Sequence, residues 1–194
     1  MNEIGEIEFI GTGTSTGIPV IGCECEVCKS TDVRDRRLRA SAIVRIAEKN
    51  ILIDCGPDFR EQMLRAKSCK LDMALLTHSH YDHVGGIDDL RPYCSIEDGF
   101  PIYCKHDVAQ DLYNRVPYCF AEHPYPGVPA LNINEIDTKP FKVGGILIKP
   151  LPIMHYKLPI LGYKIGNLAY ITDAKTISDC TIEMLRGVDT LVIN

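Results

Sequence analysis

The chain has 194 residues, a length that suits one domain with a sizeable core. Hydrophobic residues make up 45% and charged residues 24%. This balance is typical of a globular protein and excludes a disordered chain. The formal net charge of −5 argues against a long nucleic-acid partner, whereas a small phosphorylated substrate is compatible with it.

Short apolar runs alternate with turn residues in the first half of the chain. They predict strands over residues 6–10, 42–47, 50–54, 72–76 and 101–104. Helices are predicted from Pro57 through residues 58–67, and over 84–90 and 107–115. The second half predicts strands over 141–151, 162–165, 168–172 and 190–193, a turn at residues 166–167 and a helix over 177–185. The mixture of hairpins and strand–helix units predicts an α/β or α+β class with stacked layers.

The compartment is expected to be reducing. No window approaches the ~18 uninterrupted apolar residues of a membrane-spanning helix, and the N-terminus MNEIGEIEFI has acidic residues where a secretory signal has basic ones. We therefore expect a cytoplasmic protein with no membrane partner. Its nine cysteines are odd in number and unsuited to a disulfide framework, which leaves metal ligation or burial to explain them.

The strongest motif is HSHYDH, directly after the predicted strand 72–76. Crowded imidazoles disfavour one another's charged form unless an anion or a metal compensates, and imidazole and carboxylate are common ligands of zinc and similar ions. Alternation along the backbone lets His78 and His80 point toward one ion. The turn that follows can direct Asp82 and His83 at a second ion.

This HxHxDH pattern resembles the signature of the metallo-β-lactamase superfamily. The resemblance implies a four-layer αββα sandwich and a dinuclear metal-dependent hydrolase. It assigns His155 as the third histidine of the first metal and Asp173 as the carboxylate that bridges both metals. It also places Asp54 behind the ligands, where it would accept imidazole N–H groups; a cap on the turn before Pro57 is the alternative.

A cysteine-rich loop narrows the resemblance. Cys23, Cys25 and Cys28 have short-range zinc-ligand spacing, although a closed structural site needs four ligands and a loop with free thiols is the alternative. Together with GTGTSTGIP, RRLRASAIV, IDCGPDFR, HVGGIDDLRP and GYKIGNLAYITDA, the loop is similar to the phosphoribosyl cyclic phosphate phosphodiesterases of phosphonate breakdown. That resemblance implies one structural zinc on the three cysteines. The glycine-rich loop lacks the lysine of a P-loop, and a plain turn near the metals explains it equally well.

The remaining cysteines are scattered and are interpreted as small apolar fillers: Cys55, Cys69, Cys94, Cys104, Cys119 and Cys180. His106 and His123 match no ligand role in the family and are predicted to be surface residues.

The family pattern continues past DTLVIN, where it supplies a last histidine for the second metal, a nearby histidine that assists catalysis and a fourth ligand for the structural zinc. Residues 1–194 are therefore expected to be one metallo-β-lactamase-fold domain without its C-terminal part. We expect this form to bind the first metal, to hold the second weakly and to hydrolyse slowly.

The expected substrate is a small phosphodiester, either cyclic or linear. It would be attacked in line by a hydroxide that bridges two divalent ions, zinc or manganese. Asp173 would orient that hydroxide, and Asp82 would both bind metal and help move the proton. Arg91 and Lys164 are candidates for contacting the phosphate, ordinary surface charges being the alternative.

Three other functions are left open: a nuclease that processes the 3′ end of transfer RNA, a thioester or lactam hydrolase, and a catalytically impaired metal-binding protein. The oligomeric state is also open, a homodimer being one option.

Overall fold

The computed structural model describes residues 5–67, 70–95 and 98–194. In this part of the chain the strands form two six-stranded sheets. The first sheet has its strands in chain order: β1 (Glu6–Gly11), β2 (Ser41–Ile46), β3 (Lys49–Ile53), β4 (Met73–Leu75), β5 (Phe100–Cys104) and β6 (Leu131–Glu135). Its first three strands are antiparallel neighbours, and β3 to β6 run parallel.

The second sheet is built from the C-terminal half of the chain. Its strands are β7 (Phe141–Val143), β8 (Ile146–His155), β9 (Leu158–Ile165), β10 (Leu168–Ile171), β11 (Thr176–Ile177) and β12 (Thr190–Ile193). The spatial order is β11-β8-β9-β10-β12, with β7 also paired to β8. Five α-helices accompany the sheets in the described residues: α1 (Glu26–Lys29), α2 (Phe59–Arg65), α3 (Tyr81–Val84), α4 (His106–Arg115) and α5 (Asp179–Met184).

Alternating side chains divide the core into layers, because successive residues of a strand face opposite sides of the sheet. In β2, Val44 packs between the sheets with Tyr163 of β9. Ile43 faces the other way and belongs to the cluster that contains Phe59 of α2 and Leu112 of α4.

The outer face of the second sheet is covered by the last helix. Leu151 and Ile171 form a cluster there with Met184 of α5. The layers are therefore helices, sheet, sheet, helix, which confirms the predicted αββα sandwich.

Two hydrogen bonds join the sheets near the end of β4. The Tyr163 hydroxyl donates to the Leu76 carbonyl at 2.6 Å, and the Leu161 N–H donates to the Thr77 carbonyl at 3.1 Å. Buried polar groups require such partners. The two bonds fix the segment that carries the histidine motif against the second sheet.

Several predicted elements have different bounds in the structure. The predicted strand 141–151 is interrupted by Gly144 and Gly145, whose φ angles are 56° and 83°, so it forms the hairpin of β7 and β8. The predicted helix 84–90 is replaced by the end of α3 and a 3-10 helix over Ile87–Tyr93, which contains Pro92. Proline removes a backbone donor and is unfavourable in an α-helix interior.

Four short strands and α-helices were not predicted: α1, β6, β11 and α3, of which only the last residue falls in a predicted helix. The sequence of β6, LNINE, has asparagines that are depleted in strands, and the strand lies at the edge of its sheet. None of the helices in the described ranges is long and apolar enough to cross a membrane.

Candidate metal centre

The histidine motif meets two side chains of the second sheet at one edge of the sandwich. Two groups of potential ligands form there, each with its ligand atoms within 4.8 Å of one another. The first group contains His78, His80, His155 and Asp173; the second contains Asp82, His83 and Asp173. Asp173 belongs to both groups, so the groups adjoin.

The ends of four strands bring these residues together. His78 and Asp54 follow the parallel strands β4 and β3, while His155 ends β8 and Asp173 follows β10. A residue in extended conformation, His80, then leads into the short helix α3, which carries Asp82 and His83. The carboxyl ends of parallel strands meet at one sheet edge, as in other α/β sites.

Two of the carboxylates stand on strained backbone. Asp54 has a φ of 61° and Asp173 a φ of 54°, in the left-handed region. Non-glycine residues there cost roughly 1–3 kcal/mol and cluster at functional sites, and aspartate tolerates the conformation better than most residues. Each of these two aspartates follows the end of a strand. Its left-handed conformation turns the chain at the sheet edge where the potential metal ligands lie.

Asp54 is fully buried beneath the histidine motif. It accepts hydrogen bonds from the Thr77 N–H at 2.8 Å and the Thr77 hydroxyl at 2.9 Å, and its Oδ2 lies 2.7 Å from His83 Nδ1. These contacts orient the imidazole so that its Nε2 faces the cluster. The cap on the turn before Pro57 is not needed to explain this residue.

Three carboxylates surround the buried His83. Its Nε2 lies 3.4 Å from Asp82 and 3.3 Å from Asp173, in addition to the Asp54 contact. Burial opposes charge on the ring, but Asp54, Asp173 and Asp82 outweigh it and raise the pKa of His83 to about 12. The hydrogen bond from His83 in turn lowers the pKa of Asp82, and that of Asp173 to about 2.

His78 has the opposite character. Burial and the neighbouring His83 lower its pKa to about 4, so the ring is neutral at neutral pH. Because the Thr77 hydroxyl donates to Asp54, it accepts from His78 Nδ1 at 2.9 Å. The proton of His78 therefore lies on Nδ1. Its Nε2 carries a buried lone pair that has no hydrogen-bond partner among the described residues and lies 3.5 Å from an Asp173 carboxylate oxygen. An unprotonated, unpartnered nitrogen beside further histidines and a carboxylate fits a divalent metal ion.

A cleft of about 530 Å³ opens above these ligands. Its described lining consists of Gly13, Thr14, Ser15, Ala40, His80, Asp82, His83, His155, Asp173, Ala174, Lys175 and Asn194. The glycine-rich loop therefore forms one wall. A Cβ on Gly13 would lie 2.6 Å from the Arg37 carbonyl oxygen, so close packing of two backbones accounts for glycine there.

The structure places the two predicted phosphate contacts, Lys164 and Arg91, outside the described lining of the cleft. Lys164 donates to the carbonyl oxygens of Met184 and Arg186 at 3.0 and 2.6 Å, and so binds the end of α5. Arg91 pairs with Asp88 at 2.9 Å and lines a different cavity. Neither is among the residues lining the metal-ligand cleft.

Sequence analysis placed the glycine-rich loop near the metals as a plain turn but missed Lys175 and the contribution of Thr14 and Ser15 to the cleft wall. Lys175 follows Asp173 by two positions, and this closeness in sequence was the only available signal. Closeness in sequence also suggested Arg91 and Lys164, which do not line the cleft. It therefore does not distinguish residues of the cleft from their neighbours in sequence. The contribution of Thr14 and Ser15 depends on packing between distant segments.

The three loop cysteines also meet. The Sγ atoms of Cys23, Cys25 and Cys28 lie within 4.8 Å of one another near α1, largely exposed. The Val20 N–H donates to Cys28 Sγ at 3.4 Å, and the Cys28 N–H lowers the pKa of the Cys25 thiol. Such an arrangement can supply three thiolate ligands to a soft metal ion.

The remaining cysteines differ in their surroundings. Cys55, Cys104 and Cys119 are buried, as predicted for apolar fillers, and Cys94 is half-buried. Cys180 is exposed on α5, which contradicts the prediction, because this short helix buries only Thr181. Cys69 lies outside the described residues. His106 is exposed and bonded to Glu135 at 2.9 Å, and His123 is exposed.

Comparison with known proteins agrees with this geometry. Residues 49–194 match the family described as "Beta-lactamase superfamily domain". The crystal structure of a diphosphatase from the PhnP family superposes with a TM-score of 0.87 and 37% identity, over 96% of this chain and 72% of that one.

The chain belongs to the metallo-β-lactamase superfamily, in its PhnP branch. The superfamily fold implies divalent metal binding, in accord with the His/Asp cluster.

Two curated relatives carry other names. An octanoyltransferase of Porphyromonas gingivalis is 48% identical over 188 residues, which are 96% of this chain and 38% of that protein. A ribonuclease Z of Bradyrhizobium diazoefficiens is 46% identical over 56 residues, 28% of this chain and 19% of that protein. The chain thus spans well under half the length of these relatives.

Proposed function

We propose that this metallo-β-lactamase-fold chain is a metal-dependent phosphodiesterase that acts on a small phosphodiester. The observation that carries the proposal is the pair of ligand groups sharing Asp173 at the floor of one cleft. The diphosphatase of the PhnP family, with 37% identity, supports phosphoryl rather than acyl chemistry.

The ligand groups assign the residues that would hold two ions. His78, His80, His155 and Asp173 would hold one, and Asp82, His83 and Asp173 the other. When bound, divalent ions such as zinc or manganese supply Lewis acidity, which activates water and neutralises charge on phosphoryl oxygens. The loop cysteines would hold a separate structural zinc.

Side chains of the protein itself orient the potential ligands and accept protons. Asp54 fixes the His83 ring through the 2.7 Å contact with Nδ1. Asp82 is a carboxylate in the lining of the cleft, and the hydrogen bond from His83 lowers its pKa. Its position, rather than its basicity, makes it the group that would accept the proton of an attacking water, with Asp173 keeping the two ligand groups in register.

The dimensions of the cleft favour a small substrate. A volume of about 530 Å³ is within the usual range for small-molecule sites, roughly 300–1,000 Å³. The formal net charge of −5 disfavours a polyanion held over a large surface. We accordingly propose that the enzyme has no long nucleic-acid partner. We also propose that it is cytoplasmic.

A substrate screen tests the proposal. Protein of measured metal content is assayed on bis(p-nitrophenyl) phosphate, a chromogenic lactam and a p-nitrophenyl thioester, with His80→Ala as the control lacking one ligand. We expect the highest kcat/KM on the phosphodiester and its loss in His80→Ala. A higher kcat/KM on the lactam or thioester would refute the proposal, and absence of all turnover in metal-loaded protein would favour a metal-binding protein.

The ribonuclease Z match favours one second candidate, a nuclease acting on transfer RNA. That function requires many phosphate contacts, which release counterions and make binding steeply dependent on salt. Binding of a transfer RNA precursor that weakens strongly between 50 and 200 mM salt would support the nuclease. We expect no such binding.

A further inference from the structure

Lys175 is a cation of the cleft wall with no partner in the described part of the chain. It lines the same cleft as His155 and Asp173 and is exposed. Its backbone N–H donates to the Met154 carbonyl at 2.9 Å, directly before β11, so the base of the side chain is anchored to the second sheet. Its ammonium group makes no ion pair or hydrogen bond with the described residues.

Other cations near the site are already engaged. Arg39 pairs with Asp58 at 2.6 Å and donates to the Ser15 carbonyl at 3.3 Å. Lys105 bonds to Asp107 and to the Pro159 carbonyl, each at 3.1 Å. A free ammonium group at the mouth of a cleft, in contrast, is available to a ligand.

The glycine-rich loop, which also lines the cleft through Thr14 and Ser15, offers neutral donors. Residues 14–17 form a turn closed by the bond from the Gly17 N–H to the Thr14 carbonyl at 2.9 Å. The N–H groups of the central residues, Ser15 and Thr16, have no hydrogen-bond partner among the described residues. Successive free backbone N–H groups favour anions, and the bond from Arg39 holds this turn in place.

The cleft carries few fixed charges. Once His80, His83 and His155 are neutral as metal ligands, the charged residues of its described lining are Asp82, Asp173 and Lys175. Two divalent ions would exceed the charge of the two carboxylates, and Lys175 would add to that excess. A cleft with surplus positive charge favours an anionic substrate such as a phosphate ester.

We propose that Lys175 is a specificity-determining residue that binds an anionic group of the substrate in the metal-ligand cleft. The inference rests on the proposed function in that the substrate is an anionic ester. It concerns binding, however, and can be measured apart from turnover.

The test compares Lys175→Ala and Lys175→Arg with the wild type. Lys157→Ala is the matched control, because Lys157 is also exposed and follows the ligand His155 by two positions but does not line the cleft. Metal content is measured for each protein. Binding of inorganic phosphate is followed by calorimetry without free metal, and kcat and KM are determined on bis(p-nitrophenyl) phosphate at low and high salt.

We expect Lys175→Ala to weaken phosphate binding and raise KM roughly three- to tenfold, a typical loss for a partly solvated charged contact. The kcat and the metal content should stay within about twofold. The difference from wild type should shrink at high salt. Lys175→Arg should recover most of the affinity, and Lys157→Ala should behave as wild type.

The outcomes separate the two proposals. Wild-type turnover with an unchanged phosphate affinity and KM in Lys175→Ala overturns the role of Lys175 and leaves the phosphodiesterase standing. A fall in kcat alone, or an equal loss in Lys157→Ala, also overturns it. If no phosphodiester is hydrolysed but Lys175→Ala alone loses phosphate affinity, the phosphodiesterase fails and the anion contact stands.

Discussion

At the scale of single residues, the centre depends on how buried charges are matched. His83 lies among Asp54, Asp82 and Asp173, which hold it protonated, whereas His78 is kept neutral by burial. The two histidines are five positions apart in one motif, yet the His83 ring is protonated and the His78 ring is neutral. A metal ion must displace the proton of His83, whereas it can bind the lone pair of His78 Nε2 directly.

Proton release should therefore accompany metal binding to the group of Asp82, His83 and Asp173. Because the pKa of His83 is raised to about 12, its ring is charged at pH 7.5 and must lose one proton to become a ligand. We expect release of about one proton per ion bound there and an apparent affinity that rises about tenfold per pH unit. Calorimetry in buffers of different ionisation enthalpy measures both; uptake or no exchange of protons would contradict the assignment.

Substitution Asp54→Asn should weaken metal binding without removing any ligand. The amide keeps the shape of the carboxylate but loses the charge that holds His83 and places an NH2 group among donors. We expect the affinity to fall about 10- to 100-fold, as for other residues behind metal ligands. Chelator competition measures the change.

Asp72→Asn is the matched control for this substitution. Asp72 also accepts a backbone N–H, from Asn50 at 2.8 Å, but it precedes β4 at the opposite end of the strand from the motif. Its variant should lose some stability and keep the metal affinity. Equal affinities in both variants would show that Asp54 has no role at the metals.

At the scale of elements, strands explain more of the site than helices do. The turns after β3, β4 and β10 and the end of β8 carry Asp54, His78, Asp173 and His155. Helix α5 has a different role, since it covers the outer face of the second sheet. Lys164 links these elements by bonding to carbonyls at the end of α5.

Substitution Lys164→Met should reduce stability and leave catalysis unchanged. It removes two hydrogen bonds to carbonyl oxygens of the last helical turn, where a cation is favourable. We expect a loss of about 1 kcal/mol in the free energy of unfolding, measured with urea. The control is Lys149→Met, because Lys149 lies opposite Lys164 in β8. Burial lowers the pKa of Lys164, and repulsion from Lys149 lowers it further. A change in KM with unchanged stability would restore Lys164 as a substrate contact.

At the scale of the whole molecule, the candidate metal centre lies where the two sheets meet. Its potential ligands come from the segment after β4 on one side and from the ends of β8 and β10 on the other. An ion held by both sides binds the folded chain and has far less affinity for the unfolded one. Metal binding is therefore coupled to the stability of the sandwich.

Chelation should accordingly lower the free energy of unfolding. At a free metal concentration about 100 times the dissociation constant, one ion contributes about 2.7 kcal/mol. We expect the unfolding midpoint to fall after removal of active-site metal and to recover on readdition. His155→Ala, which lacks a ligand from the second sheet, should show a smaller shift. Identical shifts in wild type and variant would argue that the ions do not join the sheets.

Local chemistry allowed much of this architecture to be predicted from sequence. Apolar alternation located most strands, and the spacing of HSHYDH indicated the metal centre because ligands six residues apart or closer need little help from the fold. The positions of His155 and Asp173 followed from the family resemblance, since isolated residues carry no local signal.

Tertiary structure alone decided which charges face the cleft. Lys164 and Lys175 both lie on strands or their ends near metal-ligand segments, yet one binds helix α5 and the other remains free at the cleft. Sequence distance does not encode the direction in which a side chain leaves its sheet once neighbouring elements have packed. The position of the glycine-rich loop at the cleft and the raised pKa of His83 also depend on tertiary structure. Both result from groups that are distant in sequence and come together only when the chain folds.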